Sequence, residues 1–208
     1  MTSAALNLKP GLVYHPGYLD TDAQNALVED VRAVLRHAPL FQPVMPRTGK
    51  PLSVRMSNCG ALGWVADRQG YRYQPQHPDT DEPWPAIPEL LSQLWDDVSG
   101  YGHPPEACLI NHYAPGTRMG LHQDSDEQAV NAPVVSISLG DTALFRFGDT
   151  VRGGKTQSIK LQSGDVIVMG GESRMIYHGV DRVLPDTSRL LRQAGRINLT
   201  LRRVTCTA

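Results

Sequence analysis

Cysteine is scarce in this chain. Cys59, Cys108 and Cys206 are odd in number, widely spaced and form no CxxC pair. That excludes a disulfide framework and a cysteine zinc site, and it fits a reducing compartment. An excess of basic charge is missing as well: the formal net charge is −1, which excludes a generally basic nucleic-acid binder. A local basic patch is still allowed, so charge must be read region by region. Long apolar runs are also absent. Residues 1–20 carry Lys9, Pro10, His15 and Pro16 and read as neither signal peptide nor membrane span, so a cytoplasmic protein without a membrane partner is expected. There is no internal repeat and no low-complexity stretch. Gly170-Gly171-Glu172-Ser173 lacks the lysine and following helix of a phosphate loop and reads as a turn between two strands.

What is present suffices for one domain: 208 residues at 40% hydrophobic content can bury a core. Residues 1–44 read as an extended, Pro-containing lead-in followed by a helix. Thr21 with Gln24 resembles a capping box, and Leu27, Val31, Val34, Leu35 and Ala38 then recur at helical spacing. Residues 45–80 are irregular and short-stranded, broken by Gly60, Gly63 and Gly70. Residues 81–105 hold a second helix, introduced by Pro85 and Pro88 and striped by Leu90, Leu91, Leu94, Trp95 and Val98 before Gly100. From 106 to 208 the runs Ala107–Tyr113, Val134–Leu139, Ala143–Phe147, Gln157–Leu161, Asp165–Met169, Met175–His178 and Arg196–Val204 alternate with turn residues. Short strands at this spacing predict a mainly β protein with flanking helices, in a jelly-roll or cupin-like barrel.

Strand parity then sorts the chemistry. Arg196, Asn198, Thr200 and Arg202 share one face, and Ile197, Leu199 and Leu201 the other. A solvated edge strand would look the same. Turned into a barrel, however, the polar face needs a partner for its charges. The two arginines lie roughly 20 Å apart along the strand and suit opposite ends of a small dianionic acid. Asn111 and Tyr113 share a face of their own strand and are neutral donors for a carboxylate, or simply a hydrogen-bonded strand end. His122 and Asp124 project from one side of an extended segment, and His178 follows at a strand end. Two imidazoles and a carboxylate make a three-point face for iron with open positions opposite. Zinc accepts the same donors, but a zinc hydrolase needs no second acid, so the diacid cradle favours iron.

The stretch from Arg47 to Arg72 sets Arg47, Lys50, Arg55, Arg68 and Arg72 against Asp67, with Trp64, Tyr71 and Tyr73 interleaved. Cations for phosphates beside aromatic faces for bases suit a single-stranded or flipped nucleotide, while each residue alone reads as solvated loop. Asp126 shares the parity of His122 and Asp124 and could face a substrate amine. Glu127 reads as a solvated acidic turn, and Trp84 and Trp95 read as core.

Together these residues resemble the AlkB family of iron- and 2-oxoglutarate-dependent dioxygenases, in its bacterial DNA-repair form. The likeness runs through Asn58-Cys59-Gly60, Leu62-Gly63-Trp64, Arg68-Gln69-Gly70-Tyr71, Asn111-His112-Tyr113-Ala114-Pro115-Gly116, Leu121-His122-Gln123-Asp124-Ser125-Asp126-Glu127, Gly170-Gly171-Glu172-Ser173-Arg174, Tyr177-His178-Gly179 and Arg196-Ile197-Asn198-Leu199-Thr200-Leu201-Arg202. It implies a double-stranded β-helix core under an N-terminal nucleotide-recognition lid. It implies Fe(II) on His122, Asp124 and His178, and 2-oxoglutarate on Asn111, Tyr113, Arg196, Asn198 and Arg202. It further implies Trp64 as a stacking wall, with Tyr71, Tyr73, Asp126 and Arg152 as substrate contacts. The implied reaction consumes O2 and 2-oxoglutarate and hydroxylates the N-methyl group of 1-methyladenine or 3-methylcytosine, which then leaves as formaldehyde. A base that cannot pair is cheaper to flip, which favours single-stranded or base-flipped alkylated DNA. RNA, protein and small-molecule substrates stay open, as does a binding module without turnover. No obligate partner subunit is suggested, so a monomer is expected.

Overall fold

In the computed structural model, which describes residues 4–206, the chain forms thirteen strands and two α-helices. The N-terminal half contains β1 (Leu6–Lys9), β2 (Leu12–His15), α1 (Thr21–His37), β3 (Arg55–Gly60), β4 (Gly63–Asp67), β5 (Gly70–Gln74) and α2 (Glu89–Ser99). The remainder contains β6 (Ala107–Tyr113), β7 (Met119–His122), β8 (Val134–Gly140), β9 (Ala143–Phe147), β10 (Gln157–Leu161), β11 (Val166–Met169), β12 (His178–Val183) and β13 (Arg196–Arg202). A seven-stranded sheet runs β1-β2-β11-β8-β13-β6-β3, and a four-stranded sheet runs β10-β9-β12-β7. All pairings are antiparallel, giving the jelly-roll core. The β4–β5 hairpin forms a separate two-stranded sheet.

The strand parity of β13 decides the layering. Its apolar residues Leu199 and Leu201 join Leu27 and Val31 of α1 and Leu91 and Trp95 of α2 in one core. The helices therefore cover one face of the large sheet. Its polar residues point the other way, yet all seven positions of β13 are buried. The strand sits centrally between β8 and β6, not at an edge, so the solvated alternative fails. Phe145, Phe147, Leu161, Ile167 and Met169 form a second apolar cluster that brings strands of both sheets together.

Three local expectations shift. The lead-in forms β1 and β2, and β2 pairs with β11, which lies far along the sequence. Four-residue strands leave little periodic signal, and their stability comes from that distant partner. The tight turn between them holds Gly11 at φ 79, where a Cβ would meet the Gly170 carbonyl at 2.1 Å. Helix α1 is capped one residue early: Asp20 accepts from the Ala23 N–H at 2.9 Å, because a carboxylate suits the positive helix start. Gln24 reaches the Leu19 carbonyl at 2.8 Å. Finally, His178 begins a strand where the sequence placed one ending. A single 3-10 turn at Gly171–Ser173 takes up the preceding chain.

Candidate metal and diacid site

The register of the small sheet brings the two histidines together. β7 and β12 pair with His122 opposite His178, and the ring centroids are 4.6 Å apart. The pairing slips between His178 and Val180, leaving an extra residue in β7. Such a bulge re-aims side chains, so that Met119 and His122 both turn inward. Gly179 makes this possible: a Cβ there would meet the Met119 and Gly120 carbonyl oxygens at 2.6 and 2.8 Å.

Both imidazoles are oriented alike. His122 Nδ1 lies 2.9 Å from the Gly120 carbonyl, and His178 Nδ1 lies 3.1 Å from the Ile176 carbonyl. A carbonyl only accepts, so each Nδ1 carries a proton and each Nε2 is turned toward Asp124. Those Nε2 atoms lie 3.6 and 3.7 Å from the two oxygens of Asp124. That is too long for hydrogen bonds. It fits three donors around one ion, since metal bonds of about 2.1 Å separate neighbouring donors by roughly 3 to 4 Å. The donor atoms of all three residues lie within 4.8 Å of one another. Burial opposes the charge on Asp124, but the adjacent Arg202 guanidinium holds the carboxyl well below its usual range. Burial pushes His178 down to about 4, against the pull of Asp124, so it stays neutral. A neutral imidazole and an ionised carboxylate are the forms that bind metal.

Facing this triad is the polar side of the large sheet. Across β6 and β13, Tyr113 stands opposite Arg196 and Asn111 opposite Asn198. The Arg196 guanidinium lies 5.2 Å from the Tyr113 ring centroid, and Nη2 donates to Ser138 Oγ at 3.0 Å. Its Nε and Nη1 are buried without an aligned acceptor, and Asn111 Oδ1 is buried without a donor. An unpaired buried charge costs several kcal/mol. The protein retains one here, 1% exposed, and an incoming carboxylate would relieve it. At the far end Arg202 Nη2 lies 2.9 Å from Asp124 Oδ2, while Nε has no partner. One guanidinium beside the metal and one deep in the chamber suit the two ends of a short diacid. Asn198 is itself braced: its amide donates to Ser136 Oγ and the Ile137 carbonyl and accepts from Thr200.

Beside the triad, the β4–β5 hairpin brings its aromatics to Asp126 and Glu127. Trp64 and Tyr71 stack with centroids 5.6 Å apart and planes at 15°. The indole N–H donates to Asp126 at 2.7 Å, and Tyr71 is half exposed. Tyr73 turns inward instead. Its hydroxyl donates to Glu127 and accepts from Arg202 Nη1 at 2.9 Å. Arg152 lies on the exposed loop between β9 and β10 and is not gathered into the chamber.

Sequence reasoning passed over four residues here. Ser136 and Ser138 alternate with Val135, Ile137 and Leu139, so the parity test used on β13 would have found them. Glu127, expected in solvent, is 4% exposed and bonded to Arg174 and Arg202. Arg174 also donates to the Asp124 and Ala132 carbonyls at 2.7 and 2.8 Å. Both residues lie in motifs that carry the family likeness, but strand parity does not pair them, because β7 ends at His122 and parity lapses beyond it.

Residues 11–202 match the model of the 2OG-Fe(II) oxygenase superfamily. The chain is 50% identical over 203 residues to the alpha-ketoglutarate-dependent dioxygenase AlkB homolog of Caulobacter vibrioides, covering 98% of this chain and 92% of that one. It is 44% identical over 185 residues to alpha-ketoglutarate-dependent dioxygenase AlkB of Escherichia coli, covering 87% and 85%. The solved structure of OsALKBH1 superposes with a TM-score of 0.83 at 33% identity, over 96% of this chain and 100% of the other. A His-Asp-His triad facing an unsatisfied guanidinium inside a jelly roll, together with these likenesses, places the chain in the AlkB family of Fe(II)- and 2-oxoglutarate-dependent dioxygenases.

Proposed function

We propose that this dioxygenase removes N-linked methyl groups of the 1-methyladenine and 3-methylcytosine kind from DNA, preferably single-stranded, acting as a monomer in the cytoplasm. The observation that carries the substrate class is the Trp64–Tyr71 stack, anchored through the indole N–H to Asp126, two residues beyond Asp124. An aromatic face held at that spot can receive an unstacked base, and such stacking is tolerant of base identity. Among the described residues no helix is long and apolar enough to cross a membrane.

Bound iron, with 2-oxoglutarate and oxygen, supplies the oxidation, which leaves succinate and carbon dioxide and puts one oxygen atom into the methyl C–H bond, so that formaldehyde departs. The chain's own residues do the holding. His122, Asp124 and His178 would hold the iron through two imidazole nitrogens and a carboxylate. Arg196, Tyr113 and Asn111 would hold one carboxylate of the diacid, and Arg202 would hold the other. Asn198, Ser136, Ser138 and Thr200 keep that wall rigid. Trp64 and Tyr71 stack on the base, and the free oxygen of Asp126 accepts from its exocyclic amine. Arg152 meets a flanking phosphate, and Tyr73 joins hairpin to chamber.

The test is anaerobic mixing with Fe(II), 2-oxoglutarate and a single-stranded oligonucleotide bearing 1-methyladenine, followed by oxygen. Mass spectrometry should show loss of the methyl group with formaldehyde and succinate, and none of it in His122→Ala. Succinate without demethylation would remove the substrate assignment and keep the oxygenase.

A further inference from the structure

One buried carboxylate beside the chamber touches neither the metal donors nor the open end of a guanidinium. The Glu127 side chain is fully buried, and three donors converge on it. Arg174 Nη2 reaches Oε2 at 2.9 Å, and Arg202 Nη1 reaches Oε1 at 2.7 Å. The Tyr73 hydroxyl donates to Oε1 as well. We propose that Glu127 is a positioning residue that sets Arg202 for the diacid and, through Tyr73, makes the lid hairpin respond when the diacid binds. The proposal rests on the reading of Arg202 as a diacid ligand.

Guanidinium geometry gives the first half. Arg202 has Nη1 engaged by Glu127 and Tyr73, Nη2 beside Asp124, and Nε without a partner. A carboxylate is best received by the two parallel N–H groups of one edge. Pinning Nη1 keeps the Nε–Nη2 edge turned to the chamber. Without the pin, the guanidinium is free to turn both of its ends onto Asp124, whose oxygens the metal requires.

Lid geometry gives the second half. Tyr73 and Trp64 face one another across the β4–β5 pair. Trp64 is hooked to Asp126 and Tyr73 to Glu127, so two consecutive acids hold two facing aromatics. On its other side Glu127 is tied by Arg174 to the carbonyls of Asp124 and Ala132. The carboxylate is thus fixed to the metal loop. When Arg202 shifts toward a bound carboxylate, the neighbour left to adjust is Tyr73 on the half-exposed hairpin. Interaction networks with shared partners couple in this way and do not act as independent pairs.

The experiment uses the full chain loaded with Mn(II) and titrated with 2-oxoglutarate. Calorimetry reports affinity, and tryptophan emission reports the hairpin, since Trp64 is partly exposed while Trp84 and Trp95 are buried. Glu127→Gln should weaken 2-oxoglutarate binding by about tenfold while metal affinity moves by less than about threefold, as expected when a charge-assisted bond is lost one step from the ligand. Tyr73→Phe should abolish the emission change that 2-oxoglutarate causes in the wild type. Wild-type affinity in a folded Glu127→Gln, or a full emission response in Tyr73→Phe, would overturn the proposal. If Glu127→Gln fails to fold, Tyr73→Phe decides alone. A wild type that binds no 2-oxoglutarate would instead sink the diacid reading of Arg202, and neither readout depends on a nucleic-acid substrate.

Discussion

The chamber and the hairpin beside it are built on opposite physical terms. In the chamber every candidate group stands on or beside a paired strand. The sheet register sets the spacing: His122 against His178, Tyr113 against Arg196, Asn111 against Asn198. Apart from the partly exposed His122, its polar groups are buried, and Asn111 Oδ1 and the Arg196 Nε and Nη1 groups are left without a partner, which a ligand would supply. The hairpin forms its own two-stranded sheet: β4 is anchored by Val65 in the main core, a backbone bond from Val44 to Ala66 and two bonds between Asn58 and Trp64, whereas β5 is the more exposed strand and is tied in by Tyr73. The difference assigns the labour. On the proposed reading, the chamber would hold metal and diacid in fixed geometry, and the exposed side of the hairpin would meet a bulky, variable polymer. Sites on paired strands position groups more tightly than sites on loops, whereas mobile elements are drawn from the less stable parts of a fold.

Substitutions should separate the two. The largest effect belongs to Asp124→Ala or His178→Ala, which should lower metal affinity by at least about 100-fold and abolish both succinate and demethylated product. A metal titration followed by both assays checks this.

Next comes Arg196→Met. It should raise the KM for 2-oxoglutarate about 100-fold, as loss of one partner from a buried charged pair does. The same change should raise the melting temperature of the ligand-free protein by about 2 °C or more, because it removes an unpaired buried charge. A drop in melting temperature would mean that the guanidinium is stabilised by contacts other than an incoming carboxylate.

A smaller effect is expected in the hairpin. Trp64→Ala should raise the KM for the oligonucleotide roughly tenfold, the value of one stacked base, with the KM for 2-oxoglutarate changed by less than about threefold. Equal changes in both constants would break the division of labour. Arg152→Ala should act least, weakening oligonucleotide binding a few-fold and reducing the slope of affinity against salt by about 1, as one exposed phosphate contact does. Affinity measured at several salt concentrations tests it.

How much of this was legible in the sequence follows the same divide. Alternation along Arg196–Arg202 separates a polar from an apolar face, and the strand is central with both faces buried. Regular strands obey parity, so the residues they carry can be sorted without coordinates. The metal triad was legible because His122 and Asp124 are near neighbours and His178 precedes Gly179, which the sheet needs at that close approach. What escaped depends on irregular or distant contacts. The bulge that turns Met119 inward, toward the Tyr113 hydroxyl, leaves no periodic mark. The β1–β2 hairpin joins the large sheet only through the pairing of β2 with distant β11. Glu127 looks like any acid in a polar run, and only the approach of Arg174 and Arg202 from distant segments makes it a core residue.

The most direct test is a crystal structure of the protein grown anaerobically with Mn(II) and 2-oxoglutarate. The account predicts metal on His122 Nε2, Asp124 and His178 Nε2, with the diacid spanning from Arg202 to Arg196 and the Arg196 Nε and Nη1 groups now bonded to its far carboxylate. A diacid bound elsewhere, or an Arg196 still unpaired with the ligand in place, would contradict it.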